Sequence, residues 1–269
     1  MSYFKVTDLT VGYGGKMIVN DVSFAVERGE LTGILGANGS GKTTFLKAIC
    51  NILPHEGMCE MHKAQGMTKL ESLSAKELAR LCSYIPQRSG ISIDISVLDV
   101  VLMGCNPKLG ILERPNKEMR ERASEILKIV GLPGKEEMNY QFLSEGQKQL
   151  CILARTLMQD AKLLLLDEPE SSLDLRYRYH MLEILRKSLK EGESSAVVAL
   201  HDPALALNYC DRLLLFSEGR IVGEMIPAKD SPEEMERKLM QIYGPVSLHR
   251  YEDRAGHTQL VMIKEPEEL

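Results

Sequence analysis

The stretch LTGILGANGSGKTTFLKAI, residues 31 to 49, constrains the fold of this 269-residue chain more than any other. LTGIL is a short apolar run bounded by Gly36, which predicts a buried strand. From Thr43 the pattern TTFLKAICNIL predicts a helix that starts in the glycine loop and is ended by Pro54 and Gly57. Gly36, Gly41, Lys42 and Thr43 fit the pattern GxxxxGK[ST], with strand before and helix after as the pattern requires. Asn38, Gly39 and Ser40 fill the loop, and Thr44 continues it. Glycines let backbone N–H groups turn inward around a phosphate without Cβ clashes. The helix N-terminus adds partial positive charge. Lys42 is placed to reach the β- and γ-phosphates, and the Thr43 hydroxyl to join a Mg²⁺ shell. The stretch thus predicts a nucleoside triphosphate and leaves open which work its hydrolysis drives.

Bulk properties narrow the class. Apolar residues make up 44% of the chain, enough for a sizeable core. The formal net charge of -5 gives no reason to expect a nucleic-acid partner. No run of 18 apolar residues is present, so no membrane span is expected, and MSYFKVTDLT lacks the features of a secretion leader. The six cysteines are scattered without a CxxC pair, so they read as buried thiols of a reducing compartment and not as metal ligands.

The order of elements is that of a layered α/β core. FKVTDLTVGY and VNDVSFAVERGE read as strands, LSAKELARL as a helix capped near Ser74, and LCSYIP as a strand stopped by Pro86. From Ser92 to Tyr140 strand patterns fade. SVLDVVLMG and NKEMRERASEILKIVGL have helical periodicity, which predicts a helical subdomain at about 90–160 inserted in the core. EGQKQLCILARTLMQD continues as helix, AKLLLLDEP as strand, LRYRYHMLEILRKSLKEG as a long amphipathic helix and SAVVALHDP as strand. CDRLLLFSEGRIVGEM reads as a hairpin through Glu218 and Gly219. The ATPase core is expected over 1–227. An extension is expected over 228–269, with SPEEMERKLMQIYG helical and HTQLVMIKEPEEL a strand with a frayed end.

Four further sites carry chemistry. Asp167, at the end of LLLLD, is placed to hold magnesium through water, and Glu168 to orient or deprotonate a water attacking the γ-phosphate. His201 ends an apolar strand in a sheet of the kind that binds ligands beyond its strands' carboxyl ends. Gln87, after SYIP, offers an amide oxygen to Mg²⁺ or to the water. Ser144 and Gly146 precede a helix. They read either as a second anion-binding helix end, which a symmetric dimer would use on its partner's nucleotide, or as an ordinary serine cap.

Together these residues resemble the nucleotide-binding subunits of ABC transporters, over roughly residues 4 to 225. Gly36 to Thr44 is similar to Walker A, Gln87 to the Q-loop, LSEGQ at 143–147 to the signature, and LLLLDEP to Walker B with its glutamate. SSLD ending at Asp174 is similar to the D-loop, and His201 to the switch histidine. Tyr13 matches the aromatic that stacks on adenine; its spacing alone reads as a half-buried strand-end residue. The resemblance implies a P-loop NTPase core with an antiparallel β subdomain and an inserted helical subdomain. It implies a head-to-tail dimer that closes on two ATP molecules with Mg²⁺, each held between Walker A of one copy and Ser144, Gly146 and Gln147 of the other. It further implies two membrane-spanning permease subunits docked near residues 87–112, an indirect substrate-binding protein, and a position at the cytoplasmic face of the membrane.

The chain departs from the family pattern at three points. Glu145 replaces a glycine of the signature, Glu170 stands where threonine is frequent, and Cys105 stands where an arginine often follows the glycine of VLMG. SVLDVVLMGCNPKLG after LARLCSYIPQ resembles importers of iron–siderophore complexes, haem and cobalamin. Molybdate or tungstate importers, and a soluble ATPase serving an assembly such as iron–sulfur cluster biogenesis, are the alternative expectations.

Overall fold

The computed structural model describes residues 2–63, 66–87, 90–110, 112–192 and 194–266. It divides into two compact units, one made of residues 1–71 and 195–269 and the other of 72–194. Of the expected docking segment, residues 88, 89 and 111 lie outside the described residues, as does the expected frayed end at 267–269.

The first unit opens with β1 (Phe4–Tyr13), β2 (Lys16–Val26), β3 (Leu31–Leu35), α1 (Lys42–Ile49), β4 (Glu56–Lys63) and β5 (Gly66–Lys69). β1 alternates buried and exposed side chains, as a strand with one wet face must. It pairs antiparallel with β2 and β4, and β5 extends the sheet. β3 is buried at every position, in keeping with its unbroken apolar run. α1 ends at Cys50 and Asn51, the latter with φ 53°, so the helix stops before Pro54. Between Pro54 and Leu70 the sequence predicts no element, and the structure has the antiparallel pair β4 and β5.

The second unit holds α2 (Ala75–Leu81), β6 (Cys82–Ile85), α3 (Val97–Leu102), α4 (Lys117–Ile129), α5 (Glu145–Gln159), β7 (Leu163–Asp167) and α6 (Leu175–Glu191). β6 and β7 run parallel, with Ile85 opposite Leu166. Ser74 and Ser144 each close a capping box with a Glu or Gln three residues on, which fixes where α2 and α5 begin. α3 lies against α5, and a Cβ at Gly104 would collide with the carbonyl of Arg155. Val97, Leu98, Val100, Val101 and Leu102 are all buried there, so the apolar residues of α3 belong to the core.

The first unit resumes with β8 (Ser195–Ala199), α7 (Pro203–Tyr209), β9 (Arg212–Ser217), β10 (Arg220–Met225), α8 (Pro232–Tyr243), β11 (Val246–Glu252) and β12 (Thr258–Lys264). β3 lies between β8 and β9, parallel to both, and β10 closes the edge antiparallel to β9. α8 packs on β9, β10 and β11, while Asn208 of α7 exchanges hydrogen bonds with the Leu260 backbone of β12. β11 and α7 have no counterpart among the sequence-predicted elements. Four of the five phenylalanines form a chain through this unit. Phe4, Phe24, Phe45 and Phe216 lie with successive ring centroids 6.2, 5.5 and 5.4 Å apart, tying α1 to β1, β2 and β9. Among the described residues no helix is long and apolar enough to cross a membrane.

Candidate functional site

In the first unit the glycine loop leaves the carboxyl end of β3. Gly36 and Ser40 are buried, while Ala37, Asn38 and Gly39 form the exposed crown. A Cβ at Gly36 would collide with the Phe216 carbonyl. Gly39 has φ 78° and Gly41 φ 107°, and a Cβ at Gly41 would stand 2.9 Å from the Ile18 carbonyl. Only glycine meets both demands at position 41. The loop is held from below by the turn between β9 and β10. Gly219 N–H donates to Ser40 O at 2.9 Å, and Asn20 N–H donates to Gly219 O at 2.9 Å. Glu218 and Gly219 were legible as a turn, but their support of the loop was not.

Lys42 is buried and donates to Gly36 O at 2.8 Å and Ala37 O at 3.1 Å, so its ammonium sits inside the loop. Ser40 Oγ is buried with no hydrogen-bond partner, an orphan that a phosphate oxygen would satisfy. Thr43 is exposed in the first turn of α1, and Thr44 is half-buried after it. These residues fit a triphosphate: two tight glycines, an ammonium, hydroxyls and a helix N-terminus converge on one loop. β8 lies beside β3 in parallel register, so His201, exposed two residues beyond β8, stands at the same carboxyl edge as the loop. Tyr13 ends β1 and is 49% exposed, more open than the half-buried position its spacing predicts.

The base of this edge is fixed by ion pairs. Arg212 gives a two-pronged contact to Glu30, Nε to Oε1 at 2.6 Å and Nη2 to Oε2 at 2.8 Å, and reaches Glu224 at 3.0 Å. The hydrogen bond to Glu30 leads the effects that hold the Arg212 guanidinium above its ordinary pKa.

In the second unit the parallel pair β6 and β7 brings its own set together. Asp167 is buried at the end of β7 and accepts from the Tyr84 hydroxyl at 3.1 Å. Glu168 follows with φ 48°, a left-handed conformation that costs a non-glycine residue about 1–2 kcal/mol. In that conformation its Oε2 accepts from Gln87 Nε2 at 2.9 Å. Gln87, exposed two residues past β6, is thus held against the carboxylate next to the strand end. Sequence reasoning missed Tyr84; its place opposite Leu165 in register with β7 was the available clue.

Ser144 caps α5, with its Oγ accepting from Gln147 N–H at 3.3 Å, and both Ser144 and Glu145 are exposed. Gly146 has room for a Cβ only at contact distance from Leu173, 3.4 Å. The departure at Glu145 is locally matched: its carboxylate pairs with Lys148 at 2.8 Å and lies in the first turn of α5, where negative charge is favoured. A cavity of about 540 Å³ is lined by Gln87, Ile91, Glu145, Lys148, Gln149 and Ser172. Asp174 caps α6 through Tyr177 N–H at 3.1 Å and is exposed.

A model of the ABC transporter family matches residues 19–171, more than half of the chain. The chain belongs to the ABC transporter family. Among curated relatives of this ABC subunit is the hemin import ATP-binding protein HmuV of Vibrio parahaemolyticus, 35% identical over 88% of this chain and 89% of that one. HmuV of Rhizobium etli is 36% identical over 89% and 90%. Among solved structures, a nucleotide-free ATP-binding cassette from an ABC transporter has the same fold, with a TM-score of 0.77 and 24% identity over 90% of this chain and 97% of that one. The protein is an ABC transporter subunit that binds and hydrolyses ATP.

Proposed function

We propose that this chain powers an importer of haem or a related iron chelate. The observation that carries the reading is the match to hemin import ATP-binding proteins along nearly nine-tenths of both chains. In this reading the chain works as a head-to-tail dimer, bound at the cytoplasmic face of the membrane to two permease subunits that receive cargo from a substrate-binding protein.

The site residues take roles suited to their chemistry. Tyr13 offers its ring to adenine. The backbone N–H groups of Gly36 to Thr44, with Asn38, Ser40 and Lys42, take the phosphates. Thr43, Gln87 and Asp167 are the oxygen donors that would hold Mg²⁺, which supplies charge neutralisation on the phosphates. Tyr84 keeps the Asp167 carboxylate aimed. Glu168 positions the attacking water and draws its proton, Gln87 holds that carboxylate until substrate is present, and His201 bonds the γ-phosphate. Ser144, Gly146 and Gln147 offer the second cradle to the nucleotide of a partner copy, with Asp174 at the copy-to-copy contact.

The test is purification of the Glu168→Gln chain from gently solubilised source membranes with ATP, followed by reconstitution with whatever polytopic protein accompanies it. The expected outcome is a near-equal amount of a membrane protein, and ATPase activity of the wild-type complex raised by a hemin-loaded binding protein. A soluble partner assembly instead would replace the importer reading with that of a cytosolic machine, and stimulation by molybdate or tungstate instead of hemin would move the cargo.

A further inference from the structure

The cysteine spacing gives no metal pair, yet the β4–β5 hairpin builds a ligand set. Among the described residues, His55, Cys59 and Glu71 bring one nitrogen, one sulfur and one oxygen ligand atom within 4.8 Å of one another. They lie in the first unit: His55 after α1, Cys59 in β4, and Glu71 in the single turn that follows β5. The His55 side chain is only 2% exposed and Cys59 is fully buried, whereas the Glu71 side chain keeps 31%.

The hydrogen bonding shows what the cluster is prepared for. His55 Nδ1 stands 3.1 Å from the Leu53 carbonyl. A carbonyl only accepts, so Nδ1 carries a proton and Nε2 is the ring atom turned to the rest of the cluster. Nε2 stands 3.2 Å from Glu71 Oε1, an oxygen that also accepts from Cys59 N–H at 2.7 Å. A shared proton joins these two atoms as a hydrogen-bonded pair, and a cation in its place would take both as ligands. A backbone carbonyl on Nδ1 is also the arrangement that aims Nε2 at a metal ion. The buried sulfur of Cys59 beside the same two atoms favours a metal over a bare proton.

We propose that His55, Cys59 and Glu71 bind a late first-row divalent metal ion of the Zn²⁺ or Fe²⁺ class. Nitrogen, thiolate and carboxylate together suit such borderline ions and not Mg²⁺ or Ca²⁺. On binding, the Cys59 thiol proton leaves to solvent, and the dication is balanced by one thiolate and one carboxylate. The loaded cluster is therefore neutral overall, as a buried group should be. His55 Nε2 and Glu71 Oε1 stand 3.2 Å apart and the third ligand atom lies within 4.8 Å of both, near the spacing of about 3.3–3.8 Å around a tetrahedral ion. Cys50 is not among the ligand atoms that meet there. Three protein ligands leave a position for water, the mark of an exchangeable ion. A surface depression of about 420 Å³, lined by Thr7, Asp8, Gly57, Met58, Lys69 and Glu71, reaches the carboxylate of the set. The site lies on β4, which pairs with β1 through Cys59 and Val6. It does not depend on which cargo the transporter carries.

The experiment is a Co²⁺ titration of the metal-free full chain, without nucleotide because ATP would itself bind the cobalt. One equivalent should bind with a thiolate-to-cobalt charge-transfer band, and Zn²⁺ should displace it. Cys59→Ser should abolish the band while ATP binding persists. Glu71→Gln, partly exposed and still able to accept from Cys59 N–H, should weaken affinity by at least about tenfold. Absence of the band in the wild type, an unchanged band in Cys59→Ser, or unchanged affinity in Glu71→Gln would each overturn the site.

Discussion

At the scale of the residue, Lys42 shows how far local chemistry specifies this molecule. A buried ammonium is costly unless paired, and Lys42 is held by the Gly36 and Ala37 carbonyls of its own loop. Those dipoles keep the charge inside the loop, where phosphate oxygens gain most from it. A charge-assisted hydrogen bond is worth about 1.5–3 kcal/mol, so Lys42→Ala should weaken ATP binding by about 10- to 150-fold. Calorimetry checks this, and unchanged binding would remove the lysine from the phosphate site. The fold should survive, because the loop is also pinned through Gly219 and Ser40.

At the scale of the element, the question is why α1 begins where the phosphates need it. Its polar end is set by the glycine loop and its apolar face by Phe45, which is fully buried between Phe24 and Phe216. Phe45→Ala removes the middle ring of that chain and leaves a cavity. The expected cost is about 3–5 kcal/mol of stability, read as a lowered denaturation midpoint. Nucleotide affinity should fall as well, because the loop loses its platform; a loss of stability with full affinity would show that the loop is fixed by Gly219 alone. This element scale is also where the sequence was unevenly legible. Strands with unbroken apolar runs, such as β3 and β7, and helices with serine caps, such as α2 and α5, were readable because one local rule decides each. The β4–β5 hairpin was not. EGMCEMHK has no clean alternation, and its strand state comes from pairing with β1, a partner some fifty residues earlier. The site was readable where chemistry is compressed into a motif, as from Gly36 to Thr44. It was not where it depends on folding, as with Tyr84 on Asp167, the backbone of Glu168, or the meeting of His55 with Cys59. For VLDVVLMG the sequence leaves a docking face and a core helix both open, and Val97 to Leu102 bury all their apolar residues in the core.

At the scale of the whole molecule, the proposed reading gives the glycine loop and the start of α5 to the nucleotides of two copies. One copy carries a glycine loop with an ammonium, and separately an exposed helix start at Ser144 whose neighbours Gly146 and Gln147 leave a low-bulk, partly exposed surface. Hydrolysis would release a closed dimer, so a chain that binds ATP and cannot hydrolyse it should stay closed. Glu168→Gln keeps a hydrogen-bonding amide beside Gln87 but removes the base, and should lower turnover by about 10²–10⁴-fold. With ATP and Mg²⁺ its mass by light scattering should double, and without nucleotide it should revert to the single chain. Adding Ser144→Arg supplies the control. Arginine forfeits a cap worth about 1 kcal/mol, which the chain should tolerate, but it fills the surface offered to the partner's nucleotide. The double variant should bind ATP as a monomer. If it dimerised as readily as Glu168→Gln alone, Ser144 would be a helix cap and nothing more, and the second cradle would have to be sought elsewhere on the chain.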